Sequence, residues 1–351
     1  MSQQLQVNLA NGTRELKHLL VNASNANIPT LILGPPGTGK TSSIRQVTAA
    51  TQREYFALDA QLANPEDLSG IPWVRNDETM ICTRPSWLPD KGNDRATVFI
   101  DDLTNCPSPV IMSGLYALAL DKRCGQHQVH EDTWVVMAGN RPSDKSGAVA
   151  INPTLANRMM VVNFSGPTDS EWLADFANPC GVNTHIREFI GAYPDRLNNF
   201  DGTKATNSTP RSWALAGRML DQIGIGDIHA LRTAMAGIVS ESDAIALITN
   251  IQISHLIPTV AQIIADPAGA KMPPKDRMDL HYALLGRIKA SCDAAMFDKV
   301  WDYLTRQNST IREELRVTAV KFMQMATSNG LVGTPVMSKI LKDPKIRELF
   351  I

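Results

Sequence analysis

A chain of 351 residues with 43% hydrophobic and 20% charged side chains has the make-up of a globular protein with two or three packing units, and its formal net charge of −1 gives no overall attraction for nucleic acid or anionic membrane. Its cysteines, Cys82, Cys106, Cys124, Cys180 and Cys292, are scattered and odd in number, which argues against a disulfide framework and predicts free, mostly buried thiols in a reducing compartment. Met1 to Ala10 has no basic segment followed by an apolar core, and no window reads as the roughly 20 apolar residues that span a bilayer, so the expected location is the cytoplasm.

The first predicted strand is Thr30-Leu31-Ile32-Leu33, and a helix is predicted from about Thr41 to Ala50. Further β-rich runs follow at Tyr55–Asp59, Thr97–Asp101, Thr133–Ala138 and Met159–Phe164. Strands alternating with helical stretches predict an α/β domain with a parallel five-stranded sheet. From about Ser170 the strand signals stop and helical periodicity takes over, with Trp213, Ala216, Leu220 and Ile223 on one face and Ile245, Ile248, Ile251 and Ile253 in a more apolar stretch. Asn198 to Pro210 reads as a loop leading into a helix capped near Thr209, with Pro210 at its first position. A break from Asp266-Pro267-Ala268-Gly269 to Pro273-Pro274 sets off the last helices, in which Phe297, Trp301 and Leu304 read as core. There Thr310-Ile311-Arg312-Glu313 has capping-box spacing and Asn329-Gly330 fits a helix stop.

Directly after the first strand stands Gly34-Pro35-Pro36-Gly37-Thr38-Gly39-Lys40-Thr41, a complete G-x-x-x-x-G-K-[ST] phosphate-binding loop. Its glycines let consecutive N–H groups point at phosphate, and the helix from Lys40 adds its positive dipole end. Lys40 is placed to reach the β- and γ-phosphates of ATP, and the Thr41 hydroxyl to ligate Mg²⁺. A carboxylate for the Mg²⁺ shell is expected at the end of a neighbouring strand, and Val98-Phe99-Ile100-Asp101-Asp102 supplies it: Asp101 for the metal, Asp102 for the attacking water. The other meaning of an Asp-Asp pair is a helix N-cap or a solvated turn; its place after an apolar strand, downstream of the loop, favours the catalytic one. His127-x-x-His130 has no Cys or third His nearby to complete a metal site and reads as a polar turn.

Over about residues 28–225 the chain resembles the AAA+ ATPases, most closely the MoxR group that remodels protein complexes. Gly139-Asn140, at the end of the fourth strand, is similar to that family's sensor 1. Asn152-Pro153-Thr154-Leu155-Ala156-Asn157-Arg158-Met159 resembles the stretch whose arginine reaches into the next subunit's site, with Arg141 as the rival finger. Thr209-Pro210-Arg211-Ser212-Trp213 resembles the start of a lid helix carrying sensor 2 at Arg211. A cation in each place would offset charge on the transferring phosphoryl group. Asp102 stands where the family usually has glutamate, which leaves fast hydrolysis open. The resemblance implies an AAA+ large domain over 1–167, a helical lid over 168–268 and a helical extension over 269–351.

Gly70 to Trp87 resembles the hairpin that interrupts helix 2 in the MoxR branch, and Asp121-Lys122-Arg123-Cys124-Gly125-Gln126-His127 the pre-sensor hairpin. Trp73 and Trp87 either contact a client there or pack a local core. The implied activity is an ATP-dependent, Mg²⁺-dependent, ring-forming remodelling ATPase, hexameric, whose protein client carries a von Willebrand A domain or is a metalloenzyme awaiting activation. A nucleic-acid motor or loader is the alternative, disfavoured by the charge balance and the lack of a basic-aromatic stripe. A third possibility is a nucleotide-gated scaffold with little hydrolysis.

Overall fold

The computed structural model describes residues 9–75, 79–151, 153–293, 295–306, 310–311, 315–316 and 318–319. Asn76-Asp77-Glu78 of the expected hairpin, Asn152, Arg312 and Glu313 of the capping box, and the Asn329-Gly330 stop lie outside the described residues. Two compact units are present, one formed by residues 1–167 with Phe200–Ala205, the other by Thr168–Asn199 with 206–351.

The first unit contains, in chain order, β1 (Leu9–Ala10), α1 (Thr13–Asn25), β2 (Thr30–Leu33), α2 (Lys40–Ala50), β3 (Glu54–Asp59), α3 (Pro65–Ser69), β4 (Pro72–Val74), β5 (Met80–Cys82), β6 (Ala96–Asp101), α4 (Pro109–Asp121), β7 (Arg123–Cys124), β8 (His127–Gln128), β9 (Trp134–Gly139), α5 (Pro153–Ala156) and β10 (Met160–Phe164). Its main sheet is parallel, in the order β1-β10-β2-β9-β6-β3. The five expected strands are all there. A sixth, β1, pairs Leu9 with Asn163 and Ala10 with Phe164; two residues are too few for a periodic signal, so the expected count of five is one short.

Alternation along the strands decides which helix covers which face. Ile32, Phe99, Val136, Val162 and Phe164 pack with Leu16 and Leu20 of α1 and Ile44 and Val47 of α2. Leu31, Val98, Ile100, Val135 and Met137 point the other way, onto Ile111, Leu115 and Leu118 of α4. Each fully buried Leu, Ile or Val contributes about 1.5–3 kcal/mol, so a one-residue slip of any strand would be prohibitive. Two small hairpins stand outside the main sheet, β4–β5 and β7–β8. The loop Phe200–Ala205 joins this unit by close backbone approach: a methyl group on Gly202 would lie 2.5 Å from the Lys145 carbonyl oxygen.

Burial governs the cysteines, as their scatter predicts. Cys106, Cys124 and Cys292 are buried and all five are free; Cys180 is exposed. Burial pushes the Cys124 thiol up to about 11 and Cys292 up to about 12. Lys122, left-handed at the end of α4, donates from Nζ to Thr133 O at 2.6 Å and Asn27 Oδ1 at 3.3 Å, and burial, aided by Arg53, pulls its ammonium down to about 8.

The second unit is helical: α6 (Asp169–Trp172), running on as a π turn over Leu173–Ala177, then α7 (Thr184–Ala192), α8 (Pro210–Ile223), α9 (Ile228–Ala236), α10 (Glu241–Ile253), α11 (Val260–Ala265), α12 (Met278–Ser291) and α13 (Phe297–Thr305). Thr209 caps α8, accepting from Ser212 N at 3.2 Å while Ser212 Oγ accepts from Thr209 N at 2.8 Å, with Pro210 at the first helical position. Trp213, Ala216 and Leu220 are buried as the spacing predicts, but Ile245 turns outward. Glu241–Ala265 has the length and apolarity of a bilayer span, which the sequence reading missed. The helix is nonetheless broken at Pro258, and its Ala244, Leu247, Ile248 and Ile251 face the protein core.

Packing of α7 on α12 joins the earlier and later helices of this unit. Gly191 and Gly286 meet there: a methyl group on Gly286 would lie 2.3 Å from Glu188 O and 2.6 Å from Ala192 N. Beside them the buried Arg287 donates to Glu188 from Nε (2.8 Å) and Nη2 (3.1 Å), and from Nη1 to the Ile257 and Pro258 carbonyls where the helix breaks. Lys289 pairs with Asp169.

Gly286→Ala should therefore lower unfolding free energy by about 1–3 kcal/mol, although alanine is favoured over glycine inside a helix by about 1 kcal/mol. The midpoint of urea denaturation measures this, and an unchanged midpoint would mean that α7 and α12 separate at no cost. Cys124 adds a pH term. Its thiol stays protonated in the fold above the pH at which the unfolded chain loses that proton, so its contribution is complete below about 9 and is lost as pH rises toward 11. Cys124→Ala should fall in stability less steeply than the parent across that window, in denaturation curves taken every half pH unit.

Candidate nucleotide site

The site lies at the carboxyl ends of three adjacent strands. Sheet order sets β9 between β2 and β6, so Asn140, one residue past β9, stands between the loop after β2 and the carboxylates at the end of β6. Such a crevice is where open α/β sheets bind ligands.

Gly34 continues the β2 ladder, donating from N to Gly139 O at 3.2 Å. A methyl group there would lie 2.2 Å from Phe164 O, so only glycine fits between β2 and β10. Gly37 and Gly39 have φ of 76° and 95°, the left-handed region open to glycine. Gly39 is the N-cap of α2, and a methyl group there would meet nothing within 4 Å, so its φ and not crowding calls for glycine. Thr38 ties the loop down, its Oγ1 donating to Pro35 O at 2.9 Å.

Lys40 is only 8% exposed, and its Nζ donates to Gly34 O (2.7 Å), Pro35 O (2.9 Å) and Asn140 Oδ1 (3.2 Å). One turn of the loop and the end of β9 are thus bound to a single ammonium. Thr41 Oγ1 donates to Asp101 Oδ2 at 2.9 Å, which sets a hydroxyl and a carboxylate side by side. That pair is a hard oxygen donor set suited to a small divalent cation. Asp102 is left-handed, with φ 48°, and its N–H donates to Asp101 Oδ1 at 3.0 Å, opening the turn Leu103–Asn105.

The sequence-predicted residues fall into two sets. Lys40, Thr41, Asp101 and Asn140 are joined by direct hydrogen bonds, with Asp102 adjoining. Among the described residues, Arg141 and Arg158 have no hydrogen bond to them. Arg141 is committed to Asp144, donating from Nε at 3.2 Å to each carboxylate oxygen and from Nη2 to Oδ1 at 2.9 Å. Arg158, in the turn between α5 and β10, is exposed and makes no hydrogen bond or ion pair with any described residue. Arg211 is the second residue of α8, exposed, in the helical unit. Thr104 was missed. It is 1% exposed, and its Oγ1 accepts from Asn140 N at 2.8 Å. No motif marks it; its position two residues past the Asp-Asp pair was the available signal.

Around the site, the two tryptophans part ways. Trp73 on β4 is 67% exposed, alongside Ile71, Val74 and Met80, whereas Trp87 packs against the core and donates from Nε1 to Asp67 O at 2.6 Å. The His127 Nε2 lies 3.2 Å from Ser69 O, and no cluster of three metal-ligating side chains exists among the described residues.

Residues 29–159 match the family model of the AAA domain, dynein-related subfamily, so the chain carries an AAA+ ATPase domain. Among solved structures it is similar to the RuvB Holliday junction branch migration motor of Thermotoga maritima, at 13% identity and a TM-score of 0.38, over 75% of this chain and 78% of that one. It is also similar to NtrX from Brucella abortus in complex with ADP, at 14% identity and a TM-score of 0.41, over 82% of this chain and 64% of that one. No curated protein matches the chain by sequence.

Proposed function

We propose that the chain binds and hydrolyses ATP with Mg²⁺, assembles as a ring of the MoxR type, a hexamer in its working form, and remodels a protein partner in the cytoplasm. The observation that carries this is the convergence of Lys40, Thr41, Asp101 and Asn140 at the ends of three adjacent strands. The donor set fits the ligands: a glycine-rich turn at a helix N-terminus, a lysine, and a hydroxyl paired with a carboxylate. Gly34 through Gly39 would cradle phosphate through main-chain N–H groups, Lys40 would neutralise phosphate charge, and Thr41 with Asp101 would hold the cation. Mg²⁺, when bound, neutralises phosphate oxygens and fixes their orientation.

Lys40 leaves its carbonyl acceptors to meet phosphate, so it exchanges neutral partners for an anionic one. Asp102 accepts the proton of the attacking water, and Asn140 holds that water or a phosphate oxygen through its amide. Arg158 serves as the finger in a neighbouring subunit's site. Its exposure and lack of a partner among the described residues support that role over Arg141, which Asp144 already engages. Arg211 is the sensor-2 cation. Residues 1–167 act as the nucleotide domain and 168–268 as the lid, with 269–351 as a helical extension. The exposed Ile71, Trp73, Val74 and Met80 give the β4–β5 hairpin an apolar surface for a client, and a von Willebrand A domain is the client class that the MoxR resemblance suggests.

Lys40→Ala should abolish nucleotide binding, which equilibrium titration with a fluorescent ATP analogue reads directly; affinity equal to the parent would end the phosphate-loop assignment. Arg158→Ala should bind nucleotide within about twofold of the parent yet lose turnover by about 10³-fold or more, the scale of an arginine finger. Mixed with an Asp101→Ala/Asp102→Ala chain it should regain part of the activity, because each intact half-site completes the other. ATPase rates that stay at background at every mixing ratio would exclude action in trans.

A further inference from the structure

Resting on the nucleotide reading above, we propose that Thr104 is a positioning residue that holds Asn140 in register with the Asp101-Asp102 carboxylates. Thr104 lies in the turn Leu103–Asn105 that follows the carboxylates. Its hydroxyl accepts from the Asn140 N–H at 2.8 Å, and its carbonyl accepts from the Val149 N–H at 2.8 Å. The next residue, Asn105, donates from Nδ2 to Ser146 O at 3.3 Å. Three hydrogen bonds therefore join the turn after β6 to the loop after β9, and the Thr104–Asn140 bond is the nearest of them to Lys40.

Steric fit makes the joint specific. A methyl group on Gly139 would lie 2.6 Å from Thr104 Oγ1 and 2.7 Å from its Cγ2, so the bare backbone of Gly139 is what lets threonine sit against the end of β9. The β-branch limits χ1, so the hydroxyl is presented to Asn140 at little entropic cost. On the other side, the turn closes through Asn105 N to Asp102 O at 2.9 Å, and Asp102 keeps its left-handed φ of 48° within that turn. A continuous path results, from Lys40 Nζ to the Asn140 side-chain Oδ1, from the Asn140 main-chain N–H to Thr104 Oγ1, and back along two residues of main chain to Asp102. Thr104 touches neither phosphate nor metal ligand; it fixes the spacing between the groups that would.

Four full-length variants test this: Thr104→Val, Thr104→Ser, Asn140→Ala and the Thr104→Val/Asn140→Ala double. Each is measured for kcat and KM, for affinity toward a slowly hydrolysed ATP analogue and ADP with Mg²⁺, and for its urea midpoint. Thr104→Val should lose about tenfold or more in kcat and in the ATP-analogue to ADP affinity ratio while keeping ADP affinity within about twofold, since a misplaced group costs the transition state most. Thr104→Ser, which keeps the acceptor, should recover most of both, and the double variant should match Asn140→Ala alone because the two residues act as one unit. A shift in the urea midpoint with kcat and the affinity ratio at parental values, or losses that simply multiply in the double variant, would overturn the assignment. If the parent chain binds neither nucleotide, the nucleotide reading itself fails. Parental binding with an unaffected Thr104→Val removes only the positioning role.

Discussion

The site depends on a buried cation. Lys40 sits 8% exposed, and an ammonium removed from water is tolerable only where carbonyl and amide oxygens replace its hydration shell. Gly34 O, Pro35 O and Asn140 Oδ1 do this, so the same contacts that satisfy the charge also shape the loop and tie it to the end of β9. These shared contacts tie the geometry of the loop to that of the adjacent strand. Through these contacts the lysine fixes the conformation of the loop around Gly34 and Pro35.

Parallel strand order is the second constraint. With β9 between β2 and β6, groups distant in sequence, Lys40, Asp101 and Asn140, meet at one edge of the sheet. Their side chains need no long reach, since each sits within one residue of a strand end or at the first turn of the following helix. The flanking helices contribute by burial: α1 and α2 cover one face and α4 the other. Groups on strand ends are anchored by the core beneath them, and the Thr104–Asn140 hydrogen bond ties the turn beyond β6 to the end of β9.

The helical unit solves a different problem. Two apolar clusters, one over Trp172–Ile251 and one over Ile257–Ala319, are joined where α7 and α12 approach closely enough that only glycine fits at positions 191 and 286. Close backbone approach brings Glu188 and Arg287 within a two-pronged pair, and Arg287 also satisfies the carbonyls freed where Pro258 breaks the preceding helix. Breaking one member of such a pair costs more than the pair contributes, because it strands a buried charge. Of that apolar stretch, Ala244, Leu247, Ile248 and Ile251 pack into the unit's own core.

Much of this was legible from local chemistry. The loop from Gly34 to Thr41 has a backbone that only its glycines allow, and the apolar runs at Thr30–Leu33, Ala96–Asp101 and Trp134–Gly139 stand out because strands buried on both faces lose the polar alternation of exposed ones. The Thr209-Pro210 start of α8 was likewise readable, since capping is settled within four residues. Contacts between distant segments were not. β1 is too short to show a period, Trp73 is exposed whereas Trp87 is partly buried against the core, and Arg141 is held by an aspartate three residues away through the fold of the intervening turn. Sequence by itself determined the candidate phosphate loop, because Gly34 to Thr41 is a local turn, whereas the pairing of Thr41 with Asp101 needed the strand order. Tertiary structure alone decided that Thr104 faces Asn140 and that Gly286 faces Glu188, because a hydrogen bond or a steric limit across the fold has no periodic trace in either segment.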